Sequence, residues 1–218
     1  MIVPFIPGDL FELNSNLKPR FDGEVLIIDN IFKNYQNVLD ICYNMPVEQW
    51  KTNSNSRNFK DYYDCRPIFQ NHSFNETNDV KRLDILNSLI NHYFKESGNS
   101  KFVIPFVFNY FKHLKNNVSK NYQCYPHCDD QYNIIFYIDP FENGGTALYE
   151  KDNYNPSTTE SDNVMYDISD LKIKKIINSK PNRCAIFNGK TLHGGYIEDH
   201  SIYYYNWRIN LVQFVKEK

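Results

Sequence analysis

From Lys101 to the C-terminus the chain is a succession of short β-prone runs, and this succession limits the possible folds more than any other feature. The runs fall at 102–111, 121–129, 132–138, 145–150, 172–177, 183–188 and 202–214. Turn signals separate them: Asp139-Pro140, Glu142-Asn143-Gly144-Gly145, Lys180-Pro181-Asn182 and Asn188-Gly189. Gly supplies positive φ, Pro presets its own φ, and Asn and Asp bond their own backbone, so each cluster reverses the chain at low cost. Strands this short and this closely spaced bury their apolar sides in a sandwich or jelly roll. Aromatic residues are 16% of the chain, and their rings pack well on pleated surfaces, which favours the same class.

The first hundred residues read differently. Glu24-Val-Leu-Ile-Ile-Asp29 is a short apolar run between Gly23 and Asn30, and predicts a strand. Val38, Ile41, Cys42 and Met45 recur at helical spacing and stop at Pro46. Leu83, Leu86, Ile90 and Tyr93 form a second helical stripe within 80–94, preceded by the capping residues Asn78 and Asp79. Residues 50–79 are polar and turn-rich, and the patch Asp61 to Pro67 reads as a tight structural turn. Residues 151–170 are mostly polar, with the long run Lys151 to Asp162 free of aliphatic residues, the character of a lid or binding loop. Helices first and strands second make the class α+β, with helices packed on one side of a sheet. A length of 218 residues suits one domain: a helical and loop part over 1–100, then a β core over 101–218 with a loop insertion at about 151–170.

Charge and composition narrow the partners. The formal net charge is −2, which argues against nucleic acid and against an anionic membrane surface. The longest apolar run, near 102–111, is half the roughly 20 residues of a membrane span. The N-terminus lacks the basic and apolar pattern of a signal peptide. Five cysteines form no Cys-x-x-Cys pair, so they read as reduced thiols of a cytoplasmic protein.

Against this background stands one chemical motif, His127-Cys128-Asp129, answered downstream by His193 and Arg208. Alternation along a strand places Gln123, Tyr125, His127 and Asp129 on one face and turns Cys128 away. Two histidines and one carboxylate are the facial triad that binds Fe(II) and leaves positions open. Structural zinc closes its shell with four protein ligands, and only three are in view. In the last run, Tyr204, Asn206, Arg208 and Asn210 share a face, a polar stripe with a cation that is out of place unless it lines a cavity. Guanidinium grips a carboxylate through two parallel hydrogen bonds. Tyr125 reads equally as a core residue or as a hydrogen-bond donor to a bound co-substrate.

Taken in order, these segments resemble Fe(II)/2-oxoglutarate-dependent dioxygenases of the prolyl-4-hydroxylase-like branch. The matching text is Tyr125-Pro-His-Cys-Asp129, Ile134-Ile-Phe-Tyr-Ile-Asp139, Glu142-Asn-Gly-Gly-Thr-Ala-Leu-Tyr-Glu150, Ala185 to Gly195 and Trp207-Arg-Ile-Asn210. The resemblance implies a double-stranded β-helix, a cupin-like jelly roll. It implies Fe(II) on His127, Asp129 and His193, with 2-oxoglutarate as co-substrate and O2 as oxidant. Arg208 would hold the far carboxylate, with Tyr125 and Asn206 beside it. The implied activity is hydroxylation of a peptide, protein or small molecule with release of succinate and CO2. The competing reading is a non-catalytic jelly roll that uses its metal for structure or partner binding. One departure from the family is the gap from His193 to Arg208, which at 208 − 193 = 15 residues is longer than usual, with Glu198-Asp-His-Ser201 inside it.

Overall fold

In the computed structural model the residues described are 12–44, 50–52, 62–67, 92–94, 107–113, 122–129, 132–150, 166–167, 171–199, 201–202, 206 and 208–215. Among them thirteen strands form two antiparallel sheets. From the first half of the chain come β1 (Arg20–Asp22), β2 (Val25–Asp29), β3 (Trp50–Thr52) and β4 (Tyr62–Pro67). The second half supplies β5 (Val107–His113), β6 (Tyr122–His127), β7 (Tyr132–Tyr137), β8 (Gly145–Tyr149) and β9 (Tyr166–Asp167). It continues with β10 (Ile173–Asn178), β11 (Arg183–Asn188), β12 (His193–Tyr196) and β13 (Arg208–Val215). The larger sheet has the order β1-β2-β11-β7-β13-β5-β4-β3, the smaller β10-β8-β12-β6-β9.

The two sheets face each other across one apolar layer, which makes the fold a β-sandwich. Val25, Ile27, Ile135, Ala185, Phe187 and Val212 from the larger sheet pack with Leu148 and Ile177 from the smaller. Register explains which residues point inward. Ala185 lies opposite Ile135, Phe187 opposite Asn133, and Val212 opposite Ile135, and directly paired residues share a face. Asn133, Ile135 and Tyr137 therefore face the other sheet, while Ile134 and Phe136 face outward.

The outward face is buried too. Phe32 stacks on Phe136 at 5.1 Å between ring centroids, and Ile31, Phe32 and Val38 are fully buried. Asn182, held at positive φ, locks this covering segment in place. Its Oδ1 accepts from Phe32 N at 2.8 Å, its Nδ2 donates to Phe32 O at 3.0 Å, and its carbonyl accepts from Ile31 N at 3.0 Å. Helix α1 (Tyr35–Asn44) follows, and Tyr35 Oη donates to Ile138 O at 2.7 Å, tying the helix to the end of β7. All six residues of β7 are consequently buried, each side for a different reason.

Two expectations change. Asp61–Pro67 is not a tight turn, since Tyr62–Pro67 is strand β4, paired with β3 and with β5. Its Tyr-Tyr pair and Cys65 extend well in a strand, and the partner β5 was distant in sequence, so local turn composition misled. The first half of the chain supplies β1 to β4, and so contributes more strand than a helical and loop part would. The second helical stripe is described only at His92–Phe94, which are helical, and 151–165 lie outside the described residues.

Candidate metal centre and its buried cation

Strand β6 ends at His127, and Asp129 sits just beyond it rather than within a continuous strand. The backbone N–H of Asp129 donates to Gly189 O at 2.8 Å, which anchors this exit to the turn after β11. His193 opens β12 and pairs directly with His127 across the small sheet. A separation of 66 residues in sequence (193 − 127) is thus closed by strand register. The ligand atoms of His127, Asp129 and His193 lie within 4.8 Å of one another. Asp129 Oδ2 is 3.6 Å from His127 Nε2 and 3.3 Å from His193 Nε2, and the two rings are 4.4 Å apart. Cys128 turns away and packs beside Ala147, Tyr149 and Leu192, as alternation predicts.

The donor set fits a divalent metal by its protonation chemistry. His193 Nδ1 is 2.8 Å from Thr191 O, so the ring donates through Nδ1 and leaves the Nε2 lone pair toward Asp129. A carbonyl behind the ring is the usual way a ligand histidine is fixed in tautomer and orientation. Phe187 meets the same ring edge-on at 5.0 Å. Burial disfavours the charged imidazolium and outweighs the pull of the Asp129 carboxylate, so the His193 pKa is lowered. Burial pushes Asp129 upward. The contacts with His127, His193 and the amide of Asn133 together override it and hold the carboxyl far below the usual range. Neutral imidazole and ionised carboxylate are the forms that bind metal. His193 is buried while His127 is half-exposed, so the centre opens toward solvent on the His127 side.

Farther along the inward face of the larger sheet lies a second polar group. Arg208 and Asn210 open β13 and point inward, while the fully buried Ile209 points outward, matching the predicted polar and packing faces. The guanidinium is 4% exposed, and its Nη2 donates to Gly145 O at 2.6 Å. The amide of Asn210, turned to accept from Nη1, stands 2.8 Å from it. Beside them Tyr137 Oη bonds Thr146 Oγ1 at 2.9 Å. Gly145 has to be glycine: its φ is +144°, and a Cβ there would stand 1.9 Å from Ile177 O.

The long gap from His193 to Arg208 is absorbed by a pinned turn. Asn143 Nδ2 donates to Asp199 O and Asn143 Oδ1 accepts from Asp199 N, both at 2.8 Å. Ser201 bonds Asp199 Oδ1 through its N–H and its hydroxyl. Asn206 Nδ2 donates to Ile202 O at 2.9 Å. Asn206 therefore closes this turn ahead of β13, and the strand expected over 202–214 begins at Arg208. Lys190 is exposed on the turn after β11. The side chain of Tyr125 lies outside the described residues.

Three polar residues of the interior escaped sequence reading as site residues: Asn133, Tyr137 and Thr146. Asn133 Nδ2 is 2.8 Å from Asp129 Oδ2 and 2.7 Å from His193 Nε2. Their signal was the polar face of the run 132–138, where Asn133 and Tyr137 share one side.

No protein-family model matches the chain, and no curated protein matches it. Its structure is similar to those of several solved proteins. One is a prolyl-4-hydroxylase of Pseudomonas putida, at TM-score 0.49 and 9% identity over 89% of this chain and 93% of that one. Another is AviO1 of Streptomyces viridochromogenes, at TM-score 0.43 and 9% identity over 83% of this chain and 80% of that one. A third is SnoN, a non-heme α-ketoglutarate-dependent epimerase of nogalamycin biosynthesis, at TM-score 0.46 and 12% identity over 89% and 78%.

Proposed function

We propose that this protein is an Fe(II)- and 2-oxoglutarate-dependent oxygenase that hydroxylates a peptide, protein or small molecule. The observation that carries the reading is the convergence of His127, Asp129 and His193 from β6 and β12 onto one point. In this reading the sandwich is a double-stranded β-helix forming one domain. Strands β5, β7, β11 and β13 make one of its sheets, and β6, β8, β10 and β12 the other.

His127, Asp129 and His193 would hold the iron, whose chemistry when bound is one-electron transfer and O2 activation. The residues of the chain do the rest. The pKa values of Asp129 and His193 are both lowered, which favours the carboxylate and the neutral imidazole, the forms that bind metal. Arg208 offers a desolvated cation for the distal carboxylate of 2-oxoglutarate, and Tyr137 and Thr146 offer hydroxyls beside it. Asn133 and Tyr137 are four residues apart on one strand, about 13 Å at the backbone. Placing the anchor deep and the half-exposed His127 outward leaves the substrate to approach from solvent. The overall change is balanced: substrate C–H, 2-oxoglutarate and O2 give substrate C–OH, succinate and CO2.

The test is anaerobic. Fe(II) followed by 2-oxoglutarate is expected to produce the visible charge-transfer band of the chelate. Asp129→Ala should abolish the band, and Arg208→Met should weaken it at equal 2-oxoglutarate. Folded, iron-loaded protein with no band would sink the oxygenase reading and favour a non-catalytic metal-binding module.

A further inference from the structure

Asn133 is 2% exposed, and its carbonyl oxygen Oδ1 is buried without any hydrogen-bond partner. Leaving a buried polar atom unsatisfied costs about 1–3 kcal/mol, so such an atom marks a partner still to come. Its other end is fully engaged. The two N–H bonds of Nδ2 serve Asp129 Oδ2 at 2.8 Å and His193 Nε2 at 2.7 Å. The amide orientation follows from its neighbours, since Nδ2 faces a carboxylate oxygen of Asp129 and an imidazole nitrogen of His193 whose ring proton sits on Nδ1, against Thr191 O. These two acceptor atoms are also two of the three metal ligands. A metal ion and the Asn133 NH2 group cannot use the same lone pairs.

We propose that Asn133 belongs to the metal centre, holding Asp129 and His193 together in the metal-free protein and turning Oδ1 toward the ion or a water on it when metal binds. The inference rests on the metal-site reading above. A half-turn of the amide exchanges Nδ2 and Oδ1 with almost no change of shape, so the packed interior admits it without rearrangement. After the turn, an oxygen that lacked a donor faces a cation, and an NH2 group that would face that cation has moved away. The same residue thereby preorganises the empty site and completes the filled one. Its place on β7, between sheet partners Phe187 and Phe214, keeps it at this spot in both states.

Zn(II) is the probe, since it is redox-silent and diamagnetic. Calorimetric titration should show Asn133→Leu binding Zn(II) ten- to a hundredfold more weakly than wild type, the usual cost of losing a group that supports a metal shell. Asn133→Asp, which keeps an oxygen there, should bind at least as tightly as wild type. An amide that merely fills the empty site predicts the opposite, because Asn133→Leu would then remove a competitor and bind Zn(II) as well or better. That outcome overturns the role given to Asn133. Should Asn133→Leu fail to fold, wild-type protein labelled with 15N-asparagine decides. The Asn133 NH2 protons should lose their contact with the His193 ring when Zn(II) is added, and an unchanged contact in the zinc-loaded protein overturns the proposal. Wild-type protein that binds no Zn(II) overturns the metal-centre reading and this inference with it.

Discussion

The two sides of strand β7 divide the work of the molecule. Outward, Ile134 and Phe136 meet an apolar layer closed by Phe32, and the neighbouring Cys184 and Ile186 of β11 are equally buried. Inward, one strand carries Asn133 against Asp129 and His193, Ile135 in the apolar layer and Tyr137 beside Arg208. Both sides exclude water, but among the described residues only the inward one carries a buried charge, on Arg208 and beside His193 and Asp129. A buried polar group contributes little net stability even when paired, and it costs heavily when its partner is lost. The outward side therefore holds the fold together, and the inward side spends some of that stability on chemistry.

This contrast can be broken by substitution. Phe136→Ala should have the largest effect, about 3–5 kcal/mol of lost stability from the cavity left between β7 and Phe32. Denaturant unfolding with an unchanged m value would measure it, and a loss under 1 kcal/mol would show that the outward side does not carry the fold. Arg208→Met should do the reverse. Its loss of 2-oxoglutarate affinity should reach about 2–5 kcal/mol, the range for truncating a buried charged partner. Its loss of stability in the ligand-free protein should stay below that of Phe136→Ala, because an apolar chain of similar length suits a buried site. Equal destabilisation by both variants would erase the distinction between the sides.

Smaller effects sharpen it. Tyr137→Phe strands the Thr146 hydroxyl and should cost about 1–3 kcal/mol, whereas adding Thr146→Val should recover most of that, since removing both partners is nearly neutral. A double-mutant cycle on unfolding free energies would check this. Alkaline pH offers the mildest probe. Burial raises the Tyr137 pKa from 10.0 to about 12, against the opposing pull of Thr146 and Arg208. A raised folded-state value means the folded protein holds this proton longer than the unfolded chain does. The contribution of Tyr137 is then complete below pH 10 and is lost as pH rises toward 12. Wild type should lose more stability than Tyr137→Phe across that window, and parallel curves would count against a buried, protonated Tyr137.

Much of the β half was legible because turn chemistry and strand propensity are local. The runs at 132–138, 145–150 and 183–188 match β7, β8 and β11 within one residue at either end. Strands β3 and β4 were missed because their residues look like loop until β5 pairs with β4 and β4 with β3. Strand β12 is four residues with two glycines, too little pattern to read, although it begins with His193.

Residue identity alone singled out the candidate site side chains, His127, Asp129, His193 and Arg208, because few side chains bind a divalent metal or grip a carboxylate. The inward direction of Arg208 and Asn210 followed from a period of two. Only the tertiary structure decided that His193 pairs with His127, that Gly145 O receives Arg208, and that Asn133 stands against two metal ligands with its carbonyl oxygen unmet. The physical reason is that a strand's periodicity tells its two faces apart only when the faces differ clearly in polarity, as they do at the start of β13. On β7 both faces are dry, so the pattern of apolar residues is silent about direction, and the cross-strand register supplies the answer.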